Sequence, residues 1–297
     1  MSGRPRLFLV DGSSYVFRAF YALPPLTGPG AHPTHATYGF TAMLLKLLRE
    51  QAPEYAGVVF DTEGPTERHL AFEAYKAQRP PMPEALAVQL PDIRQVVTGF
   101  RLPLVSEPGQ EADDLLGTLA LRAADAGFDV VLVTGDKDMC QVVGPHIRLY
   151  DSMRDRWTGE AEVRERFGVP PPAVPEVMGL MGDSVDNIPG VPGVGEKTAK
   201  QLIAEFGSIE NLLGSLQGVK RPRLREALAS HAEQARLSRA LATIRTDLPV
   251  AFAPEAFRRQ PPDLTALGDL FRALGFTRLL EAISQGGLPG LPAGVAP

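Results

Sequence analysis

Three short apolar runs each stop at an aspartate, and this constrains the fold more than anything else in the chain. Leu7-Phe8-Leu9-Val10 ends at Asp11, Gly57-Val58-Val59-Phe60 ends at Asp61, and Val130-Val131-Leu132-Val133 ends at Thr134-Gly135-Asp136-Lys137-Asp138. Short Val-rich runs bounded by turn residues read as buried strands of a parallel sheet, hence an α/β fold. In an open α/β sheet ligands sit beyond the carboxyl ends of the strands, where these aspartates fall. Two further acidic groups follow: Glu111-Ala112-Asp113-Asp114 opens an amphipathic helical stretch, and Gly182-Asp183-Ser184-Val185-Asp186-Asn187 reads as a loop.

The candidates are Asp11, Asp61, Glu111, Asp113, Asp114, Asp136, Asp138, Asp183 and Asp186. Two carboxylates about 4 Å apart repel by roughly 4 kcal/mol at an effective dielectric near 20. Nine in one cleft need a counter-charge. Oxygen donors without paired His or Cys point to a hard divalent cation, Mg²⁺ or Mn²⁺. Any one of these aspartates reads equally well as a helix cap or turn residue. Three strand ends together with two double-acid motifs favour a shared cleft.

A length of 297 residues suggests about two domains, and 44% apolar residues suffice for a sizeable core. The single cysteine, Cys140, excludes an internal disulfide and fits a reducing cytoplasm as a packed thiol. No apolar run reaches the length of a membrane span, and the N-terminus lacks a signal-peptide core. The net charge of −5 argues against a nucleic-acid partner only at first sight. Setting aside nine of the 35 acids leaves 26 against 30 bases, a balance of +4.

Helical patterning covers 13–21 and 34–51 and, after the second strand, 63–78 and 84–98, separated by Arg79-Pro80-Pro81-Met82-Pro83. This insertion between sheet elements, at about 63–100, is long, and long insertions are usually functional. Lys76 and Arg79 stand near its apex. A helix over 112–126 ends at Gly127, and near residue 170 the strands give way to helices. The domains expected are 1–170 and a helical 171–285, with a Pro/Gly-rich tail at 286–297 that reads as disordered or as a linker.

Ile188 to Lys200 carries Gly190, Gly193 and Gly195 ahead of a helix starting near Glu196, with Lys197, Thr198 and Lys200 in its first turns. Glycines allow close backbone approach, and a helix N-terminus with added lysines suits phosphate. The Walker A spacing is absent. The pattern fits a helix, a glycine hairpin and a helix that grip a DNA backbone without reading bases, although a plain helix–turn–helix connection gives the same glycines.

Taken together, Val10-Asp11-Gly12, Val59-Phe60-Asp61, Tyr75-Lys76 with Arg79-Pro80-Pro81-Met82-Pro83, Glu111 to Asp114, Thr134 to Asp138, and Met181-Gly182-Asp183 through Lys197-Thr198 resemble, in order, the 5′-nuclease family of bacterial DNA polymerase I and the flap endonucleases. The resemblance runs over about residues 6–280. It implies a PIN-like parallel-sheet nuclease core, a helical arch and a mostly α helix-two-turn-helix (helix-hairpin-helix-like) DNA-binding region. It further implies a monomer acting on DNA with 5′ flaps, nicks or 5′ ends, two Mg²⁺ ions (Mn²⁺ as a substitute) and a K⁺ at the Gly190–Gly195 hairpin. All nine acids match metal ligands, some through water. Asp11, Asp61, Asp114 and Asp136 join Lys76 and Arg79 as catalytic positions, and Tyr75 and Arg68 match DNA-contacting ones. Glu67, ahead of Arg68, departs from the family pattern, which carries an aromatic there. The chain reads either as a stand-alone nuclease or as the front of a polymerase.

Two rival classes are a silent DNA-structure-binding module and an aspartate phosphatase with Asp11 as nucleophile. The complete acid set and the arch lysine argue against the first. The second needs an aspartate two residues on, where Ser13 stands.

Overall fold

A computed structural model describes residues 3–62 and 64–284. Six strands form one sheet in the order β3-β2-β1-β4-β5-β6. They are β1 (Arg6–Asp11), β2 (Tyr55–Val59), β3 (Leu104–Val105), β4 (Asp129–Val133), β5 (Ile147–Asp151) and β6 (Arg156–Thr158). All neighbours run parallel except β6, which closes the edge antiparallel to β5. The register sets Asp11 opposite Val59 and Val10 opposite Val133, so the carboxyl ends of β1, β2 and β4 lie level. The three strand-end aspartates therefore share one edge of the sheet.

Helices cover both faces, as parallel strands require. Leu7, Leu9, Val130 and Leu132 point towards α6 (Ala112–Asp125), which offers Leu115, Leu116 and Leu119. Phe8, Val10, Val131 and Val133 point the other way. They meet α1 (Gly12–Ala22), α2 (His35–Gln51) and α5 (Leu90–Gly99) through Tyr15, Phe40, Leu44, Val96 and Val97. No helix among the described residues is long and apolar enough to cross a membrane.

The insertion between β2 and β3 differs from its sequence pattern. The stretch expected to be one helix over 63–78 is a short α3 (Glu67–Ala71) followed by turns, and 84–98 divides into α4 (Glu84–Ala87) and α5. Helix α3 stops at Phe72, which is extended with φ −151° and ψ 100°, and the turns after it lead to Lys76. Its φ of 55° is left-handed, and its amide donates to the Asp186 carbonyl at 3.0 Å instead of continuing a helix.

After α7 (Glu160–Phe167) the chain is helical: α8 (Val174–Met181), α9 (Glu196–Phe206), α10 (Ile209–Gly214), α11 (Pro222–Ser230) and α12 (Ala232–Ala242). The last elements, α13 (Pro254–Phe257), α14 (Leu264–Leu274) and α15 (Thr277–Ser284), return to the sheet, where Leu267 and Phe271 join the core beside Val97 and Phe100. Their sequence groups them with the helical region, but their apolar faces are buried on the α/β core. The tail at 286–297 lies outside the described residues.

Gly182 and Gly190 bring the two ends of the acidic loop together. Both have positive φ, 74° and 61°, and a Cβ on Gly190 would lie 2.4 Å from the Gly182 nitrogen. Gly190→Ala is expected to cost about 2–4 kcal/mol, from left-handed strain plus a backbone clash. Urea denaturation checks this, and an unchanged midpoint would remove the close approach.

Candidate active site

Backbone geometry fixes the central acids. Asp11 caps α1, accepting the Ser14 amide at 2.9 Å, and its other oxygen accepts the Thr134 hydroxyl at 2.8 Å. Asp61 accepts the Ala112 amide at 2.8 Å, and its own amide donates to the Ser13 hydroxyl at 2.9 Å. Asp136 accepts the Asp138 amide at 2.8 Å. Asp11–Ser14 and Asp136–Asp138 are local turns, and the other bonds tie strand ends to one another or to the starts of α1 and α6, so the positions follow from the sheet register and from where those helices dock.

Electrostatics shows which acids face one another. Burial pushes the Asp11 carboxyl up to about 7, and Asp61 and Asp136 add repulsion. Burial and then Asp136, Asp11 and Asp61 hold Asp113 well above the ordinary carboxylate range. Asp138 is pushed up to about 7 by burial, with Asp136 adding and Lys137 opposing. Asp136 is common to all three.

The remaining acids have cationic partners. Glu111 takes the Lys76 ammonium at 2.8 Å and the Thr66 hydroxyl at 3.0 Å. Burial pushes its carboxyl up, but Lys76 and Arg68 outweigh burial and hold it below its ordinary value. Asp186 pairs with Arg79 at 2.5 Å and lies 4.0 Å from Lys76. Asp183 is bonded to Lys137, which also reaches Asp138 at 2.9 Å. Burial raises Asp183, but Lys137 outweighs it and leaves that carboxyl lowered.

Among the described residues, no group of three or more His, Cys, Asp or Glu side chains is arranged to hold a metal ion in this conformation. Asp11, Asp61 and Asp136 are held by backbone amides and a hydroxyl, and Glu111, Asp138, Asp183 and Asp186 are held by Lys76, Lys137 and Arg79.

Three expected site residues are turned to partners inside the protein. Asp114 does not face the other acids: both its oxygens take the Arg68 guanidinium at 2.7 Å, and one also accepts the Arg245 amide at 2.8 Å. Asp113 and Asp114 are consecutive on a helix, about 100° apart, so only one can face the cleft. Arg68, expected on DNA, is an internal strut with its side chain only 11% exposed. Tyr75, expected to stack on a terminal base, is buried with its hydroxyl donating to Glu111 at 3.2 Å and Lys76 over its ring. Low-dielectric bonds to carboxylates explain the inward turn of both side chains.

The glycine hairpin places Gly195 as the N-cap of α9, with Lys197 exposed and Thr198 half-buried in its first turn. Lys200 pairs with Glu196 at 2.5 Å. Gly193 has a φ of 81° and open space around it. Sequence reasoning missed Ser13, Thr66, Thr134 and Lys137 as orienting groups. Two of these lie within quoted motifs, and their hydroxyl or ammonium chemistry beside an aspartate was the available signal.

A carboxyl raised in the fold stays protonated where the unfolded chain has ionised. Its stabilisation is complete below pH about 4 and is lost as the pH rises through about 7. Metal-free protein is therefore expected to melt about 5 °C or more lower at pH 8 than at pH 5. Mg²⁺ is expected to restore the difference at pH 8. Calorimetry at both pH values checks this, and a flat profile would contradict the clustering of Asp11 and Asp138.

Residues 6–168 match the family model described as 5′-3′ exonuclease, N-terminal resolvase-like domain, and residues 169–265 match the 5′-3′ exonuclease, C-terminal SAM fold. DNA polymerase I of Bacillus caldotenax is 42% identical over 287 residues, which cover 95% of this chain and 33% of that protein. The chain thus spans about a third of the length of that polymerase. The 5′-3′ exonuclease of Aquifex aeolicus is 37% identical over 279 residues, 94% of this chain and 95% of that protein. The fold is shared with T5 D15 protein co-crystallised with metal ions, at 19% identity, a TM-score of 0.69 and coverage of 95% and 98% of the two chains. It is also shared with the catalytic core of Rad2 in complex with DNA substrate, at 17% identity, a TM-score of 0.65 and coverage of 94% and 91%. With both family models matched in sequence, over nearly the whole chain and on this sheet, the chain belongs to the 5′-3′ exonuclease family.

Proposed function

We propose that the chain is a structure-specific 5′ nuclease, active as a 5′-3′ exonuclease and 5′-flap endonuclease, that hydrolyses DNA phosphodiesters with two divalent metal ions. The observation that carries this reading is the set Asp11, Asp61, Asp113, Asp136 and Asp138 at one sheet edge, three of them pushed up by burial and by one another. Such a cluster is short of positive charge, and its donors are all carboxylate oxygens, which fits Mg²⁺ or Mn²⁺. These five residues, with Glu111, Asp183 and Asp186 once their lysine and arginine partners let go, would hold the ions. Bound there, the ions would supply activation of water and stabilisation of the leaving 3′ oxygen.

The protein's own groups do the rest. Lys76 and Arg79 reach the edge of the cluster from the insertion and can move from Glu111 and Asp186 to a phosphate, offsetting charge on its oxygens. Ser13 and Thr134 hold Asp61 and Asp11 in orientation. The α/β part through about residue 170 would cut. The hairpin at Gly190, Gly193 and Gly195, with Lys197, Thr198 and Lys200, would grip duplex backbone. Of the hairpin carbonyls, that of Gly190 accepts from Gln234 at 2.6 Å and that of Val191 from the Val194 amide at 3.0 Å, each with a second lone pair left, and a K⁺ at this hairpin belongs to the same reading. Substrates with flaps, nicks or 5′ ends, a monomeric state and a cytoplasmic setting belong to the same reading.

Labelled 5′-flap DNA incubated with the protein, with Mg²⁺ and with EDTA, tests it. Products released only with Mg²⁺ are expected. Binding without cleavage under every divalent metal would favour the silent DNA-binding module instead.

A further inference from the structure

Helix α12 is bonded at both ends to parts of the site. Near its start, Gln234 donates to the Gly190 carbonyl, and one turn later the Ser238 hydroxyl accepts the Gly190 amide at 3.0 Å. At its finish, Arg68 donates to the Leu241 carbonyl at 3.0 Å and the Thr243 carbonyl at 2.7 Å, while Gln141 donates to the Ala242 carbonyl at 3.0 Å. These are the carbonyls a helix end leaves without helical partners.

The groups that take them come from the core. Arg68 sits on α3 at the base of the insertion and spends both ends of its fork on Asp114, next to Asp113 on α6, with Glu111 3.5 Å away. Gln141 follows Asp136 and Asp138 by one short turn. Glu67, next to Arg68 on α3, pairs with Arg245 at 2.5 Å just beyond the helix. Four guanidinium hydrogen bonds in fixed directions need arginine, since an ammonium is a single point charge with only three donors.

We propose that α12 is a ruler: it fixes the distance between the hairpin that grips duplex DNA and the carboxylates that cut, and Arg68 is the positioning residue that sets its end. The roughly 10 Å of helix between Gln234 and Leu241 is a rigid spacer. The ruler rests on the reading of the chain as a flap nuclease. Its effect is on where the strand is cut, because a loose spacer lets neighbouring phosphates take turns at the carboxylates.

The test maps products from a 5′-flap substrate for wild type, Arg68→Lys, Ser238→Ala and Gln141→Ala. Wild type is expected to give one dominant product. Arg68→Lys is expected to spread cleavage over two or three neighbouring phosphates, with kcat down about tenfold and KM within about threefold. Ser238→Ala, which removes the α12 bond to the Gly190 amide, is expected to give the same spread. A folded Arg68→Lys that cuts at the wild-type position and rate overturns the ruler, as does a rise in KM alone, which would make Arg68 a DNA contact. Should Arg68→Lys not fold, wild-type product positions for both Ser238→Ala and Gln141→Ala overturn it. Should the wild type not cut DNA at all, the nuclease reading fails, and hydrogen exchange decides the ruler separately. Gln141→Ala is then expected to raise exchange at 190–195 together with 241–245, and unchanged exchange at 190–195 overturns the link.

Discussion

Asp136→Asn is expected to lower cleavage of 5′-flap DNA by about a thousandfold or more while leaving flap affinity within a few-fold of wild type. The magnitude is about 4 kcal/mol of transition-state stabilisation, the scale on which loss of a metal ion's contribution acts. Asp136 is the residue for such a change, since Asp11, Asp113 and Asp138 all feel its charge. The amide of Asn keeps an acceptor for the Asp138 N–H and removes only the charge. A second consequence has the opposite sign. Without metal, at pH 8, the variant is expected to melt above the wild type, because one repelling carboxylate has gone. Single-turnover cleavage and calorimetry on the same sample read both effects. Loss of folding, or wild-type cleavage, would contradict the placement of Asp136.

Lys76→Ala is expected to reduce kcat on the same substrate by about a hundredfold to a thousandfold, with a smaller change in KM. Removing one preorganised charge aimed at a developing oxyanion costs on this scale. Lys76 is held in place by a left-handed φ of 55°, an amide bonded to the Asp186 carbonyl, and an ammonium 4.8 Å above the Tyr75 ring. Lys76 also holds the Glu111 carboxyl down, so the variant's acid limb in a pH–rate profile is expected to move to higher pH. Steady-state kinetics across pH 5–9 checks both. A variant with unchanged kcat but raised KM would make Lys76 a binding residue alone.

The sheet and its acidic edge were legible because a buried parallel strand is a local signal: four or five apolar residues, then a turn residue. Asp11, Asp61 and Asp136 follow directly from that. The insertion was legible as an interruption but not in shape, since nothing local in 63–78 announces that Lys76 will take positive φ. That conformation is held by the Asp186 carbonyl, more than a hundred residues away. Asp114 and Arg68 show a different limit. A run of acids at a helix start reads as one constellation, although helical geometry sends neighbours in different directions. Their partners come from distant parts of the chain: Asp114 takes Arg68 and the Arg245 amide, and Arg68 also reaches the carbonyls at the end of α12. Likewise the return of α14 to the sheet depends on Leu267 packing against Gly99, a fit that no periodicity reveals.

The central claim is that these carboxylates gather around divalent metal. A crystal grown with Mn²⁺ and measured at the manganese absorption edge tests it most directly. The account predicts two anomalous peaks about 3.5–4 Å apart, bounded by Asp11, Asp61, Glu111, Asp113, Asp136 and Asp138, with the Lys76 ammonium drawn off Glu111. Clear density for these side chains with no anomalous peak among them, and Lys76 still on Glu111, would contradict it.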